Sequence, residues 1–178
     1  MDLTKLKKAV RIWIENETGL TVVESDQAES RPSKPPYVCY QVGAEQKKGH
    51  EENRQIDTNG ISLVVGRRQR TFTIDINGAG ANALAESLRL GLAKNEVTNF
   101  FYGYDESITP KEMRNIAIVD SSNIIDATAL METLYIERAV FDVTFAYSIE
   151  VQEDVGIIEQ VEITGNGETQ TIDIEDET

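Results

Sequence analysis

The sequence has only one cysteine, Cys39, and only one histidine, His50. A single cysteine excludes a disulfide within the chain. Zinc sites usually take three or four ligands from cysteine and histidine, so the composition argues against a zinc site. A Ser-His-Asp or Cys-His catalytic arrangement would depend wholly on His50. His50 lies in the charged segment 47–52, where we expect a solvated loop residue. We therefore expect no metal, no cofactor and no catalytic residue.

Long apolar runs are also missing from the sequence. No run approaches the roughly 20 residues that a membrane-spanning helix needs. The first ten residues alternate charged residues with leucine and lack the apolar core of a signal peptide. We expect a protein that is made and assembled in the cytoplasm and has no membrane partner.

Basic residues are absent from the last forty positions. Residues 139–178 contain eleven acidic residues and no lysine or arginine, whereas residues 1–138 contain 20 acidic and 17 basic residues. Tight binding of nucleic acid needs lysine and arginine to neutralise phosphates, so the charge disfavours it. Two interpretations stay open. The acidic surface keeps the protein soluble, or it forms a wall past which DNA moves without binding.

Two segments have the apolar spacing of amphipathic helices. The first is residues 3–14, with Asp2 as its cap and Gly19 beyond its end, and the second is residues 81–92. Asp126 could cap one or two further helical turns through Leu130 and Leu134.

Alternating apolar residues predict a series of strands. The longest is residues 139–151, followed by a turn at 153–154 and a return strand at 155–163. Between strands 61–65 and 72–76 we predict a hairpin tip, with Arg67, Arg68 and Arg70 solvated or docked on an acidic neighbour. Shorter strands are expected at 20–24, 37–42 and 116–119. Residues 44–60 are predicted to form an exposed loop, and residues 100–104 a short strand or packed loop.

The segment Asn77-Gly78-Ala79-Gly80 precedes the second helix and superficially matches a dinucleotide-binding turn. Ala83 stands at the third glycine position, and no regular βαβ series follows, as that fingerprint requires. We interpret the segment as a tight structural turn.

The predicted fold class is α+β, a mostly antiparallel sheet with two main helices packed on one face. Residues 1–164 form one domain in this interpretation, and residues 165–178 form an acidic C-terminal arm. The arm has the composition of a disordered tail, yet residues 169–174 keep a faint alternation. We expect this arm to pair with a neighbouring subunit or another partner protein, and its candidate interface residues are Gln170, Ile172 and Ile174. The alternative is that the arm folds back on its own domain.

Several segments, read in order, resemble the bacteriophage neck or tail-terminator proteins. They are residues 3–14, 19–20, 35–41, 73–92, 135–147 and 155–163. The most specific part is Glu137-Arg138-Ala139 within its strand, followed by Val155-Gly156-Ile157-Ile158-Glu159-Gln160-Val161-Glu162-Ile163. Residues 44–60 and 165–178 resemble nothing in that family.

The resemblance implies a structural virion protein that closes the head-proximal end of the tail tube and joins the tail to the neck. It implies a ring, usually of six subunits, around the DNA channel. The implied partners are other copies of the chain, the tail tube protein, the neck or head–tail connector proteins and, as a further candidate, the tail sheath. We expect carboxylates to face the channel, and Arg67, Arg68 and Arg70 to face protein neighbours.

Three alternatives remain open at this point. A neck or head-completion connector would have the same features. A small hydrolase could use paired carboxylates, Asp142 with Glu137 or Asp105 with Glu106, although neighbouring acidic positions rarely reach the different pKa values that an acid–base pair needs. A bacterial partner-binding module is the third.

Overall fold

A computed structural model describes residues 3–25, 32, 34–54, 56, 60–103, 116–131, 134–156, 160–165 and 168–173. The chain divides into two compact units. Unit 1 consists of Met1–His50 and Gly66–Ile149, and unit 2 consists of Glu51–Val65 and Glu150–Thr178. The predicted division into a domain of residues 1–164 and an arm of residues 165–178 stays a prediction.

The described residues form three helices and twelve strands. The helices are α1 (Leu3–Thr18), α2 (Ala81–Gly91) and α3 (Asn95–Tyr102). The strands are β1 (Val22–Glu24), β2 (Tyr37–Val42), β3 (Gln46–Lys47), β4 (Glu52–Asn53), β5 (Ile61–Asn77), β6 (Ala117–Ser121), β7 (Ile125–Asp126), β8 (Ala129–Met131), β9 (Leu134–Ile136), β10 (Arg138–Asp154), β11 (Gln160–Gly165) and β12 (Glu168–Asp173).

The main sheet has the strand order β1-β2-β5-β10-β6. β1 pairs with β2 in parallel, and β2 pairs with β5 in antiparallel orientation, with Tyr40 opposite Ile74. β6 and β7 both pair antiparallel with β10. The short strands β3 and β4 pair with β5. The α+β class with a mostly antiparallel sheet is confirmed.

The core of unit 1 lies between one face of this sheet and the three helices. Alternate residues of β10 from Ala139 to Tyr147 are buried, as are Phe72, Ile74 and Ile76 of β5. Phe145 is fully buried, and its ring lies 5.0 Å from the ring of Phe101, 5.6 Å from Phe72 and 6.3 Å from Trp13. Burial of each such side chain contributes about 1.5–3 kcal/mol.

Helix α1 follows from its apolar spacing, as predicted. Leu6, Val10, Trp13 and Ile14 are buried on one stripe. The helix ends where Gly19 takes a φ of 66°, and the Gly19 N–H donates to the Glu15 carbonyl at 2.8 Å. Glycine at this position accepts the left-handed conformation without a Cβ penalty.

Other segments of the same chain pack closely against the glycine turn before α2. Gly78 has a φ of 121°, and a Cβ there would lie 2.9 Å from the Pro36 Cα. The Gly80 N–H, at the N-terminus of α2, donates to Glu137 Oε2 at 2.6 Å. A bound phosphate would need backbone N–H groups at this helix N-terminus. Because Glu137 already accepts from the Gly80 N–H, the segment is better interpreted as a structural turn.

Unit 2 contains β4, the first residues of β5, the last residues of β10, and the β11–β12 hairpin. Glu52 and Asn53 of β4 pair with Val65 and Val64. In the hairpin, Gln160 lies opposite Asp173 and Gly165 opposite Glu168. Residues 151–156 are all exposed, in contrast to the alternating burial earlier in β10.

The predicted hairpin tip at residues 66–70 is wrong, because β5 runs without a break from Ile61 to Asn77. The segment lacks the Asn-Gly or Asp-Gly pairs that specify a tight turn. β3 pairs with it, Gln46 opposite Gln69 and Lys47 opposite Arg68. Residues 44–60, predicted to be a loop, therefore contain β3 and β4.

Two further predictions need correction. Phe100 and Phe101 lie in helix α3 rather than in a strand or loop, where both rings are buried, so three helices cover the sheet rather than two. Asp126 caps no helix. Its Oδ1 accepts bonds from the Thr128 N–H (2.9 Å) and the Thr128 hydroxyl (2.6 Å), a local turn that competes with a helix start. β7, β8 and β9 occupy this segment.

Candidate functional site

The face of the main sheet opposite the core carries polar side chains. We define this polar sheet face by Thr71, Thr73 and Asp75 of β5 and by Arg138, Asp142 and Thr144 of β10. The Thr73 hydroxyl donates to Asp142 Oδ1 at 2.7 Å, and the Thr71 and Thr144 hydroxyl oxygens lie 2.9 Å apart. The side chains alternate with the core residues, because successive residues of a strand point to opposite faces.

Arg138 forms a bidentate ion pair with Asp75 on this face. Arg138 Nε donates to Asp75 Oδ1 at 2.8 Å and Nη2 to Oδ2 at 2.7 Å. Asn77 Nδ2 also donates to Asp75 Oδ1, at 3.1 Å. The bond to Asp75 raises the pKa of Arg138 above its ordinary value. Two N–H groups of the Arg138 guanidinium therefore donate to a carboxylate of the same chain.

Glu45 holds together a second polar cluster, which includes two of the predicted interface arginines. The Tyr147 hydroxyl donates to Glu45 Oε2 at 2.6 Å, and Arg70 Nε donates to the Tyr147 oxygen at 3.1 Å. Arg70 Nη2 lies 3.4 Å and Arg68 Nε 3.5 Å from Glu45 oxygens. The Tyr147 bond, followed by the arginine charges, lowers the pKa of Glu45. Burial, with the Glu45 bond as a second cause, raises the pKa of Tyr147.

The structure thus brings Arg68 and Arg70 together at one intrachain carboxylate, while the side chain of Arg67 is exposed. The sequence reasoning missed Glu45 and Tyr147. No local signal could have found the pair, because 102 positions separate them. The alternation of Arg138, Asp142 and Thr144 within β10, by contrast, was a readable signal for the polar sheet face.

An exposed apolar pair lies on the β8–β9 hairpin. Leu130 stands directly opposite Tyr135 in the register, and their exposed fractions are 58% and 78%. Nearby in sequence, Ile125 is 63% exposed. Apolar side chains grouped in this way on a surface are typical of a protein contact, where tyrosine is enriched.

The predicted interface residues of the C-terminal arm fall on β12. Gln170 pairs with Ile163 and Ile172 with Val161, while Ile174 lies outside the described residues. The strand pairing that we assigned to a neighbouring chain is made, on one edge of β12, by β11 of the same chain. Residues 168–173 of the arm thus form a strand paired with β11, and the contact of the arm with a neighbour stays a prediction.

The carboxylates considered for hydrolysis serve other partners. Asp142 accepts from Thr73, and Glu137 accepts from the Gly80 N–H. Asp105 and Glu106 lie outside the described residues. Within the described ranges, no group of three or more histidine, cysteine, aspartate or glutamate side chains is placed to hold a metal ion. None of the described helices is long and apolar enough to cross a lipid bilayer.

Comparison with protein families gives a match to a model described as phage neck terminator protein, over residues 4–169. The match includes all three helices and the strands of the main sheet. A comparison with curated proteins found no match.

Proposed function

The chain belongs to the phage neck terminator family, and on that premise we propose that it closes the head-proximal end of the tail tube and joins the tail to the neck. The role is structural. The observation that carries the proposal is the family match, which spans nearly the whole chain. The proposed arrangement is a ring, six-fold in keeping with the resemblance, because cyclic closure is the usual outcome of repeated head-to-tail contacts.

We propose that the polar sheet face lines the DNA channel. Its hydroxyl and carboxylate groups are hydrogen-bonded to one another across β5 and β10, and its arginine is held by Asp75. Phosphate binding depends on available lysine and arginine, so this wall would let DNA pass without a lasting contact. A cryo-EM reconstruction of the neck whose channel wall is net positive, or is formed by the helices, would overturn this assignment.

The axial partners in this proposal are the tail tube protein and the neck connector proteins, with the tail sheath as a further candidate. The Leu130–Tyr135 pair supplies an apolar surface for one of these contacts. Replacing both residues with serine should leave the free energy of unfolding within about 0.5 kcal/mol, since both side chains are already exposed. The double variant should nevertheless reduce the yield of joined particles in a complementation assay.

Deletion of the gene tests the role directly. Electron micrographs should show overlong tails or tails unattached to heads, because nothing would cap the tube. Leaking or empty heads with normal tails would favour the second candidate, a head-completion connector. Native mass spectrometry of purified tails should find six copies, and a single copy or an open fibre would contradict the ring.

A further inference from the structure

Negative charge is concentrated in unit 2. This unit contains 13 acidic residues and a single basic residue, Arg54, so it carries −12 of the net −14. Unit 1 contains 18 acidic and 16 basic residues and is close to neutral. Both units carry net negative charge, so an attraction between copies requires a local basic patch on unit 1 that meets the acidic unit 2.

Several acidic residues of unit 2 lie at exposed positions of its described part. Glu150, Glu153 and Glu162 are exposed, and within the described ranges none of them forms an ion pair. Val151 lies on the same face of β10 as Glu153 and is 62% exposed, whereas Glu150 points to the opposite face. Val155, just after β10, is 46% exposed. Exposed carboxylates with few basic residues in the same unit can complement a basic patch on another chain.

Helix α1 of unit 1 presents the opposite charge. Residues 3–14 contain Lys5, Lys7, Lys8 and Arg11 and no acidic residue. Lys7 binds Glu24, and Arg11 Nε donates to Glu15 at 2.8 Å. Lys5 and Lys8 are exposed, and no carboxylate of the described part of the chain pairs with them. Side chains three positions apart on a helix are neighbours, so the two ammonium groups form one basic patch.

We propose that the acidic surface of unit 2 docks on the Lys5–Lys8 patch of α1 in the next copy of the chain. The inference rests on the proposed ring and names the contact that builds it. A head-to-tail contact joins two different surfaces of the same chain. Each exposed ion pair contributes little by itself, so the charges mainly orient the subunits and speed their encounter.

Two charge-reversed variants test the contact. The first is Lys5→Glu with Lys8→Glu, and the second is Glu150→Lys with Glu153→Lys. In a phage lacking the gene, each variant alone should lower the yield of complete particles about tenfold or more, because every contact then joins like charges. Lys47→Glu with Lys48→Glu is the matched control. It changes the net charge as much as the first variant, at two exposed positions in and just after β3, and should assemble normally.

Expression of both variants in one cell gives the decisive readout. A ring in which the two variants alternate has opposite charges at every contact, although neither variant can form such a ring alone. The yield should return to within about threefold of the wild type, and quantitative mass spectrometry should find equal amounts of the two variants. Circular dichroism of the purified variants checks that both are folded.

The outcomes separate this inference from the proposed function. Normal particles from each variant alone, or no recovery on co-expression of two folded variants, would overturn the docking contact and leave the ring untouched. A wild-type protein that forms no ring on purified tails would contradict the proposed function itself.

Discussion

Units 1 and 2 use the same two long strands in different ways. In unit 1, every second residue of β10 is buried under helices, and the sheet carries an aromatic core. In unit 2, the end of β10 and the two residues after it are exposed at each position from Val151 to Gly156, and Glu153 and Asp154 are among them. Burial supplies most folding free energy, so the difference assigns most of the stability to unit 1, and the exposed unit 2 is the part that we propose for assembly.

The largest expected effect is the loss of the central aromatic ring of unit 1. Phe145→Ala removes contacts with Trp13, Phe72 and Phe101 and should lower the free energy of unfolding by about 3–5 kcal/mol. Val151→Ala, on the same strand in unit 2, should change it by less than about 0.5 kcal/mol. Urea unfolding measures both. If the two substitutions lowered the free energy of unfolding equally, stability would not be concentrated in unit 1.

The second largest expected effect is a loss of stability of unit 1 at high pH. Burial, with nearby Glu24 as a second cause, raises the pKa of Tyr40 to about 12. A raised folded pKa means that stability is fully present below the unfolded value near 10 and is lost as pH rises towards 12. The loss should reach up to about 2 kcal/mol.

Tyr40→Phe is the control for this effect, because it removes the titrating hydroxyl and keeps the ring. Urea midpoints measured from about pH 8 to 12 should fall less steeply in the variant than in the wild type. Parallel curves for the two proteins would show that Tyr40 does not cause the loss.

A smaller effect is expected from the ion pair on the polar sheet face. Asp75→Ala leaves the half-exposed Arg138 guanidinium without its bidentate partner and should cost about 1–2 kcal/mol. A double-mutant cycle with Arg138→Ala gives the coupling energy. The exposed pair Arg11–Glu15 is the comparison and should couple by about 0.3–0.5 kcal/mol. If Asp75–Arg138 and Arg11–Glu15 had similar coupling energies, the ion pair on the polar sheet face would not be the stronger one.

The smallest effect on stability should come from deletion of residues 165–178, which removes β12. Unit 1 keeps every core residue, so its unfolding free energy should stay within about 0.5 kcal/mol. Assembly or joining to heads should nevertheless fall, if the hairpin reaches a partner. Unchanged assembly, or a collapse of the monomer's stability, would show that the hairpin serves its own chain alone.

The sequence predicted the parts of the fold in which one face is buried and the other exposed. The alternation in β10 and the helical stripe of α1 indicated both the elements and their core residues. β5 was predicted as two strands because Gly66 and the following arginines interrupt the apolar pattern. In the folded chain β3 pairs with this segment and Glu45 lies close to Arg68 and Arg70, and local spacing does not reveal such long-range contacts.

The candidate surfaces were predictable to different degrees. The acidity of unit 2 and the basic stretch of α1 can be counted in the sequence. The exposed Leu130–Tyr135 pair could not be expected, because the spacing of Leu130 and Leu134 predicts helical turns there. Only the cross-strand register, in which the two stand opposite each other, makes them one surface.

The single thiol of the chain reports on how often the sheet opens. Cys39 is fully buried in β2, opposite Asp75 of β5. A thiol reagent can reach it only after β2 separates from its surroundings, so the labelling rate measures the population of that opened state. A cysteine introduced at the exposed position Val151 would react at the rate of a free thiol in the same solution. Dividing the labelling rate at position 151 by the labelling rate of Cys39 gives a protection factor for the buried sheet of unit 1. This value is obtained in native buffer, without denaturant.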